Sequence, residues 1–378
     1  MYVTKNYIKY ILITFFYPTL WCQIEDWDID TVNTSLLDYQ VELFSDGYII
    51  PWGISILPDG DLLISDISGK IYRVNKDGND KILIQGVPKV YYRGQGGLLD
   101  IEIHPDFEQN RLIYFSFSDI HKNLSFTSVA SGVLVNDKLE SIRTIYKAPL
   151  HNFTNSPYHF GSRILLDKGY IYFTIGDRGN MNDAQDISKP NGKIHRLFDN
   201  GLVPKSNPFK NLDGSTSSVW CYGNRNPQGL AIDIRNNIWS SEHGPKGGDE
   251  LNFIRKGNNY GWPIITYGIN YDGTSISDKT HYEGMEQPIW YWTPSIAVCG
   301  MKFYYGEMFD SWKGNILVTS LKFEYLKRLI IKNNLVVDTE IIYEPGDRVR
   351  DVEIGQDGSI YVALENPGRI VRLSRIIN

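Results

Sequence analysis

Gly229-Leu-Ala-Ile-Asp-Ile-Arg-Asn-Asn-Ile-Trp-Ser-Ser-Glu242 alternates apolar residues on either side of an Arg-Asn-Asn turn and closes on Ser-Ser-Glu. Period-two alternation around a turn is the pattern of a β-hairpin with one face of each strand buried. The same unit occurs in Gly53–Asp66, Gly97–Asp119, Ser162–Asp177, Gly300–Ser320 and Val352–Leu364, and most copies end near Ser or Thr followed by Asp or Glu. Six copies of one hairpin point to an all-β fold, a six-bladed β-propeller with long inter-strand loops over the channel mouth. A sandwich gives no reason for the polar ending to recur. An α/β fold needs long amphipathic helices that the intervening segments lack.

Composition agrees with this reading. Aromatic residues make up 13% of the chain, with 25 Tyr and 34 Gly, a mixture that suits short pleated strands joined by tight turns. The net charge of −6, with both signs dispersed and no basic stripe, argues against a nucleic-acid ligand and fits a small neutral or weakly polar one. The longest insertions, Ile120–Asn152, Arg178–Val219 and Arg255–Cys299, read as functional loops.

The basic start Met1–Lys9 and the apolar run Tyr10–Trp21 read as a signal peptide over residues 1–22, too short to span a bilayer. Residues 23–378 then form one propeller domain of an exported protein, periplasmic or secreted, with no stable membrane span. Pro18 and Trp21 fit poorly beside a cleavage site, which leaves an uncleaved anchor or a buried strand as alternatives, and Trp21 also argues against lipidation at Cys22. Cys221 and Cys299 read as two buried free thiols, with a single bridge as the alternative; there is no CxxC spacing.

In a propeller the segments that enter the inner strands converge at one mouth of the channel. His159 lies just before the third unit's inner strand, where a neutral imidazole can accept an alcohol proton, and Asp177 ends the partner strand, where it can take the other ring N–H. A lone histidine also serves as a structural residue. Arg225 and Asn226 precede the fourth unit by the same margin and suit polarisation of a carbonyl or quinone oxygen, a blade-closing ion pair being the alternative. The loop Glu242-His-Gly-Pro-Lys-Gly-Gly-Asp-Glu-Leu-Asn252 is rich in oxygen donors and glycine, which favours a hard cation such as Ca²⁺ over Zn²⁺. Lys322, Arg348 and Arg350, the last two on one face of a strand, would attract a polycarboxylate. Each cation taken alone fits ordinary solvated charge better. Their equivalent places on successive blades argue for one shared site.

These residues lie in strings that resemble the PQQ-dependent soluble aldose dehydrogenases, the glucose/sorbosone dehydrogenase family: Gly94-Gln-Gly-Gly-Leu-Leu-Asp100, His104-Pro-Asp-Phe107, Thr174-Ile-Gly-Asp177, Arg225-Asn-Pro-Gln-Gly229, Glu242–Asn252, Asn259-Tyr-Gly-Trp-Pro263, Ser320-Leu-Lys322 and Arg348-Val-Arg-Asp-Val352. The resemblance runs from about Pro51 to the C-terminus. It implies a sugar dehydrogenase that uses pyrroloquinoline quinone (PQQ) and Ca²⁺. His159 would remove the C1 hydroxyl proton of an aldose, Asp177 would orient it, and Arg225 would stabilise the oxyanion. Gln95 and Asn226 would hydrogen-bond the cofactor, Tyr271 would flank it, and Lys322, Arg348 and Arg350 would hold its carboxylates and quinone oxygens. The Gly244 and Pro245 carbonyls would bind the active-site Ca²⁺; Glu250 and the Tyr260 carbonyl would bind a second, structural one.

Asn224, Pro190 and the pair Val298-Cys299 depart from the family pattern. They are expected to affect fine positioning and to touch none of the base, the cofactor cations or the Ca²⁺ loop. The implied partners are an aldose and an external electron acceptor, in a monomer or homodimer. A propeller that binds a sugar or partner without catalysis, or a Ca²⁺-dependent lactonase, are the competing functions.

Overall fold

The computed structural model describes residues 30–33 and 38–376. The expected signal peptide over residues 1–22 lies outside them. Six antiparallel sheets follow one another along the chain. Their inner strands, Pro51–Ile56, Leu98–Ile103, Ile164–Asp167, Pro227–Ile232, Val298–Phe303 and Val349–Ile354, contact one another in sequence and the last meets the first, so the sheets close into a ring. Each quoted hairpin supplies the two innermost strands of one blade, as the alternation predicts. Burial of those strands on both faces by neighbouring blades explains their apolar content.

The sixth blade shows what sequence patterning did not reveal. Strands Val349–Ile354, Ile360–Glu365 and Gly368–Arg375 are completed by Asp38–Tyr48 from the beginning of the chain, paired antiparallel with Gly368–Arg375. The expected insertion Ile120–Asn152 is mostly not a loop. It holds the long outer strands Leu124–Val135 and Lys138–Lys147 of the second blade. By contrast, residues 255–289 form no strand, and Trp262 among them reaches Asp177. No helix among the described residues is long and apolar enough to cross a membrane.

The core is divided among the interfaces between blades. Tyr304, Phe309, Trp312, Val349 and Val371 fill the space between the fifth and sixth blades, where Tyr39 of the closing strand meets Phe309 and Trp312 edge-on at 5.9 and 6.0 Å. Trp239, Trp292, Met301 and Phe303 fill the preceding interface. Cys221 and Cys299 are buried free thiols.

Charged groups fill the axis. Arg163, on the third blade, reaches Asp100 of the second at 2.8 Å and Asp351 of the sixth at 3.1 Å, and its Nε–H donates to the Gln228 carbonyl of the fourth at 2.9 Å. Asp351 also accepts the Ile54 N–H of the first blade at 3.1 Å. Below this set, Lys302 pairs with Glu353 at 2.5 Å and Glu102 at 3.3 Å. Burial pushes Asp100 up to about 6 despite the Arg163 charge, so the arginine is what keeps this buried carboxylate ionised near neutrality.

Replacing Arg163 with Leu strands Asp100 and Asp351 without a counter-charge, and should cost about 3 to 5 kcal/mol. A loss of unfolding free energy of that size, read from urea denaturation with an unchanged m-value, is the expected result.

Candidate active site

His159 sits in the segment that enters the third blade, and its backbone is left-handed at φ 54°. Three contacts fix that conformation. Its N–H donates to Gln95 Oε1 at 2.8 Å, its Nδ1 lies 2.6 Å from Asp177 Oδ1, and its carbonyl rests against Gly176, where a Cβ would stand 2.3 Å from it. Only glycine permits that approach. Asp177 is itself held on both oxygens: Oδ1 also accepts the Gly179 N–H at 2.7 Å, and Oδ2 accepts the indole N–H of Trp262 at 2.9 Å.

An ionised carboxylate accepts only, so His159 must donate Nδ1–H and present Nε2 as its unprotonated nitrogen. Burial lowers the imidazole below its usual 6.5, the Asp177 hydrogen bond opposes this, and the charge of Arg225 adds to the lowering. For Asp177, burial favours the neutral acid but is outweighed by His159, Arg225 and the Gly179 N–H, which hold it below the usual carboxylate value. The pair is therefore a neutral base and an anionic orienter across the neutral pH range.

Arg225 joins this pair through the backbone, since its carbonyl accepts the Asp177 N–H at 2.7 Å. Its guanidinium lies over the Trp262 ring at 5.4 Å and donates to the carbonyls of His243 at 3.1 Å and Gly244 at 2.9 Å. Asn226 is buried, and its Oδ1 is committed to the Gly161 N–H at 3.0 Å and Gln228 at 3.3 Å. Its amide hydrogens are thus the part available to a ligand. Gln95 likewise uses its oxygen on His159.

Arg348 and Arg350 point to one place, as their alternation predicts, and the structure supplies a partner that the sequence reading lacked. Both pair with the buried carboxylate of Glu365 on the adjacent strand. Arg350 also approaches Gln228 Oε1 and Cys299 Sγ, each at 3.4 Å, and lies over Trp52 at 5.6 Å. Lys322 is exposed, with its ammonium 5.4 Å from the Phe323 ring centroid. Three cations against one carboxylate leave a positive surplus that suits an anionic ligand with several carboxylates. Tyr271, 72% exposed in the Ile269–Ser275 hairpin, makes no side-chain hydrogen bond or ring contact among the described residues.

The oxygen-donor loop folds back on itself, and a Cβ on Gly244 would lie 2.2 Å from the Gly247 carbonyl. Asp249 ties it down by accepting the Gly244 N–H at 2.8 Å, the Ser295 hydroxyl at 2.7 Å and the Val298 N–H at 3.0 Å. Pro245 is buried beside Gly244. Glu250 faces Glu242 directly across the strand pair, and Asn252 Nδ2 bridges the two carboxylates at 3.0 Å to each. Burial, reinforced by the charge of Glu242, raises Glu250 well above the usual carboxylate value, and burial pushes Glu242 up to about 7. Asn252 Oδ1, buried in the same place, has no hydrogen-bond partner. Two close carboxylates and an orphaned amide oxygen beside the buried Tyr260 form a donor set that fits a hard divalent cation.

Trp262, Glu242, Glu365 and His243 are the residues that sequence reasoning did not assign. The His243 Nε2 is buried without a hydrogen-bond partner among the described residues, and burial together with the Arg225 and Arg350 charges keeps its ring unprotonated. The departures from the family pattern also lie closer to the site than expected. Cys299 touches Arg350, and Asn224 donates to Glu242 at 3.2 Å. Pro190 is remote from these groups, its carbonyl meeting His195 Nε2 at 3.0 Å.

Comparison with known proteins places this geometry. The chain matches the family described as Glucose / Sorbosone dehydrogenase over residues 48–372. The aldose sugar dehydrogenase of Escherichia coli K12 is 38% identical over 344 residues, 88% of this chain and 92% of that protein. The crystal structure of the apo-form of soluble aldose sugar dehydrogenase from Escherichia coli superposes with a TM-score of 0.83 at 35% identity, covering 89% of this chain and 100% of that one. The PQQ-bound form of the aldose sugar dehydrogenase from Streptomyces coelicolor superposes with a TM-score of 0.72 at 27% identity, covering 89% and 98%.

NMR titration of His159 should give a pKa below 6.5, and Asp177→Asn should lower it further, because the carboxylate is the contact that opposes the effect of burial. A pKa above 6.5 would contradict the assigned balance of charges.

Proposed function

This chain belongs to the glucose/sorbosone dehydrogenase family, and from that premise we propose that it oxidises the C1 hydroxyl of aldose sugars to the lactone with PQQ and Ca²⁺, passing the electrons to an external acceptor. It is a sugar oxidoreductase of the quinoprotein type. The observation that carries the proposal is the 2.6 Å contact between His159 Nδ1 and Asp177 Oδ1, which commits Nε2 to accepting a proton.

PQQ, when bound, supplies the electrophilic carbon that takes the C1 hydride. The protein's own part is proton transfer, charge stabilisation and positioning. His159 Nε2 takes the C1 hydroxyl proton as the C–H bond weakens, and Asp177 stabilises the imidazolium that results. Arg225, held on the His243 and Gly244 carbonyls, stabilises the negative charge that grows on the reacting oxygen. Lys322, Arg348 and Arg350 would hold the cofactor's carboxylates, with Gln95, the Asn226 amide hydrogens and Tyr271 at its edges. The Gly244 and Pro245 carbonyls would take one Ca²⁺, and Glu250 with the Tyr260 carbonyl a second, to which the facing Glu242 adds a carboxylate. Residues 1–22 fit a leader for export.

Dye-coupled oxidation of a panel of aldoses should require added PQQ and Ca²⁺. His159→Ala should lower kcat by about 10²- to 10⁴-fold while leaving PQQ binding, followed by absorbance titration, intact. Absence of both turnover and PQQ binding would favour a propeller that binds without catalysis.

Chelation should lower the thermal midpoint and added Ca²⁺ should restore it, since a cation bound only to the folded chain stabilises it by mass action. In Glu250→Gln the Ca²⁺-dependent gain should be largely lost. An equal gain in that variant would remove Glu250 from the ligand set.

A further inference from the structure

Tyr158 immediately precedes the base, and its side chain is 55% exposed, with its ring centroid 6.3 Å from that of His159. An exposed aromatic ring on a surface loop is ordinarily unremarked. Here the backbone beneath it is unusually well held. Arg178 donates to the Tyr158 carbonyl and, at 2.6 Å, to the Ser156 carbonyl, while its guanidinium packs on the Phe160 ring at 3.4 Å. Gln95 N–H donates to the Pro157 carbonyl at 2.9 Å, and Gly94 lies so close that a Cβ would come within 2.5 Å of Pro157. Four consecutive residues before and including the base are therefore clamped from both sides.

The arginine in this clamp has no carboxylate partner among the described residues, and its Nε–H finds no acceptor. Burial, only partly offset by the Asp177 charge, lowers it to about 9. An unpaired buried cation costs stability. Its hydrogen bonds hold the backbone from which the Tyr158 ring projects, next to His159. Tyr92, 49% exposed, lies on the loop that Gln95 anchors to the same segment. A rigid tyrosine offers a large apolar face at little conformational cost and keeps a hydroxyl for polar contact.

We propose that Tyr158 is a stacking platform for the non-reacting ring of an oligosaccharide, so that this protein selects aldoses with at least one further sugar unit. The inference rests on aldose oxidation at His159 and adds the substrate class. The reducing-end ring presents its C1 hydroxyl to His159 Nε2, and the next ring lies on the Tyr158 face, with Tyr92 on the adjacent loop. Saccharides suit this surface because their axial C–H faces are apolar while their hydroxyls stay hydrated. A ring fixed beside the base adds binding that a monosaccharide cannot reach.

The test separates binding from turnover. Isothermal titration of the holoenzyme with glucose and with cellotriose should give tighter binding of the trisaccharide. Tyr158→Ala should reduce that preference about threefold to tenfold, and Tyr158→Phe should keep most of it. Equal affinity for the two sugars in the parent protein would overturn the inference, as would a preference unchanged in Tyr158→Ala. A loss of equal size on both sugars, assigning Tyr158 a general structural role, would overturn it too. Dye-coupled turnover of either sugar is read separately, so failure of aldose oxidation is distinguishable from failure of the platform.

Discussion

The guanidinium of Arg163 lies on the axis of the ring, bonded to carboxylates from the second and sixth blades and to a carbonyl from the fourth. A propeller's blades pack against their neighbours only, and nothing in their apolar interfaces fixes how the inner strands are staggered around the centre. Hydrogen-bonded charges do fix it, because they have direction and low tolerance for displacement. Arg163 stands four residues beyond His159, and Gln228, whose carbonyl it binds, stands three beyond Arg225. The stagger imposed at the axis is thus carried along two short backbone segments to His159 and to Arg225.

At the mouth one device is reused. The second strand of a blade ends in a carboxylate that holds the segment entering the first strand. Asp66 accepts the Ile49 N–H at 2.7 Å, Asp177 holds His159, Glu242 accepts the Arg225 N–H at 2.7 Å, and Glu365 holds Arg348. In the first blade the contact only ties down a loop. In the third, fourth and sixth it orients His159, Arg225 and the pair Arg348 and Arg350. The chemistry is a specialisation of the way each blade closes its own hairpin.

That reuse accounts for what the sequence disclosed. The hairpins were legible because half-buried strands alternate with period two, and the polar ending of each unit pointed to Asp177. The same ending was available at Glu242 and, one residue beyond the quoted sixth unit, at Glu365, yet neither was assigned a role. Trp262 stood in a quoted string, but its indole reaches Asp177 across 85 positions, and no spacing rule encodes such a contact. The closing strand Asp38–Tyr48 was missed for a related reason. Its partner lies at the other end of the chain, and its register is interrupted twice, which blurs the alternation.

The closing strand also bears on synthesis. Gln40 donates to Ser374 across 334 positions, so the contact that seals the ring waits until Ser374 has been made. Until then five blades can exist only as an open arc, with the apolar faces of the first and fifth that the sixth blade covers left facing water. Contacts of such long sequence separation form slowly, and unpaired strand edges invite association with other chains. The nascent chain therefore passes through a stage in which its principal hazard is its own unfinished circumference, and that hazard ends when Asp38–Tyr48 meets Gly368–Arg375.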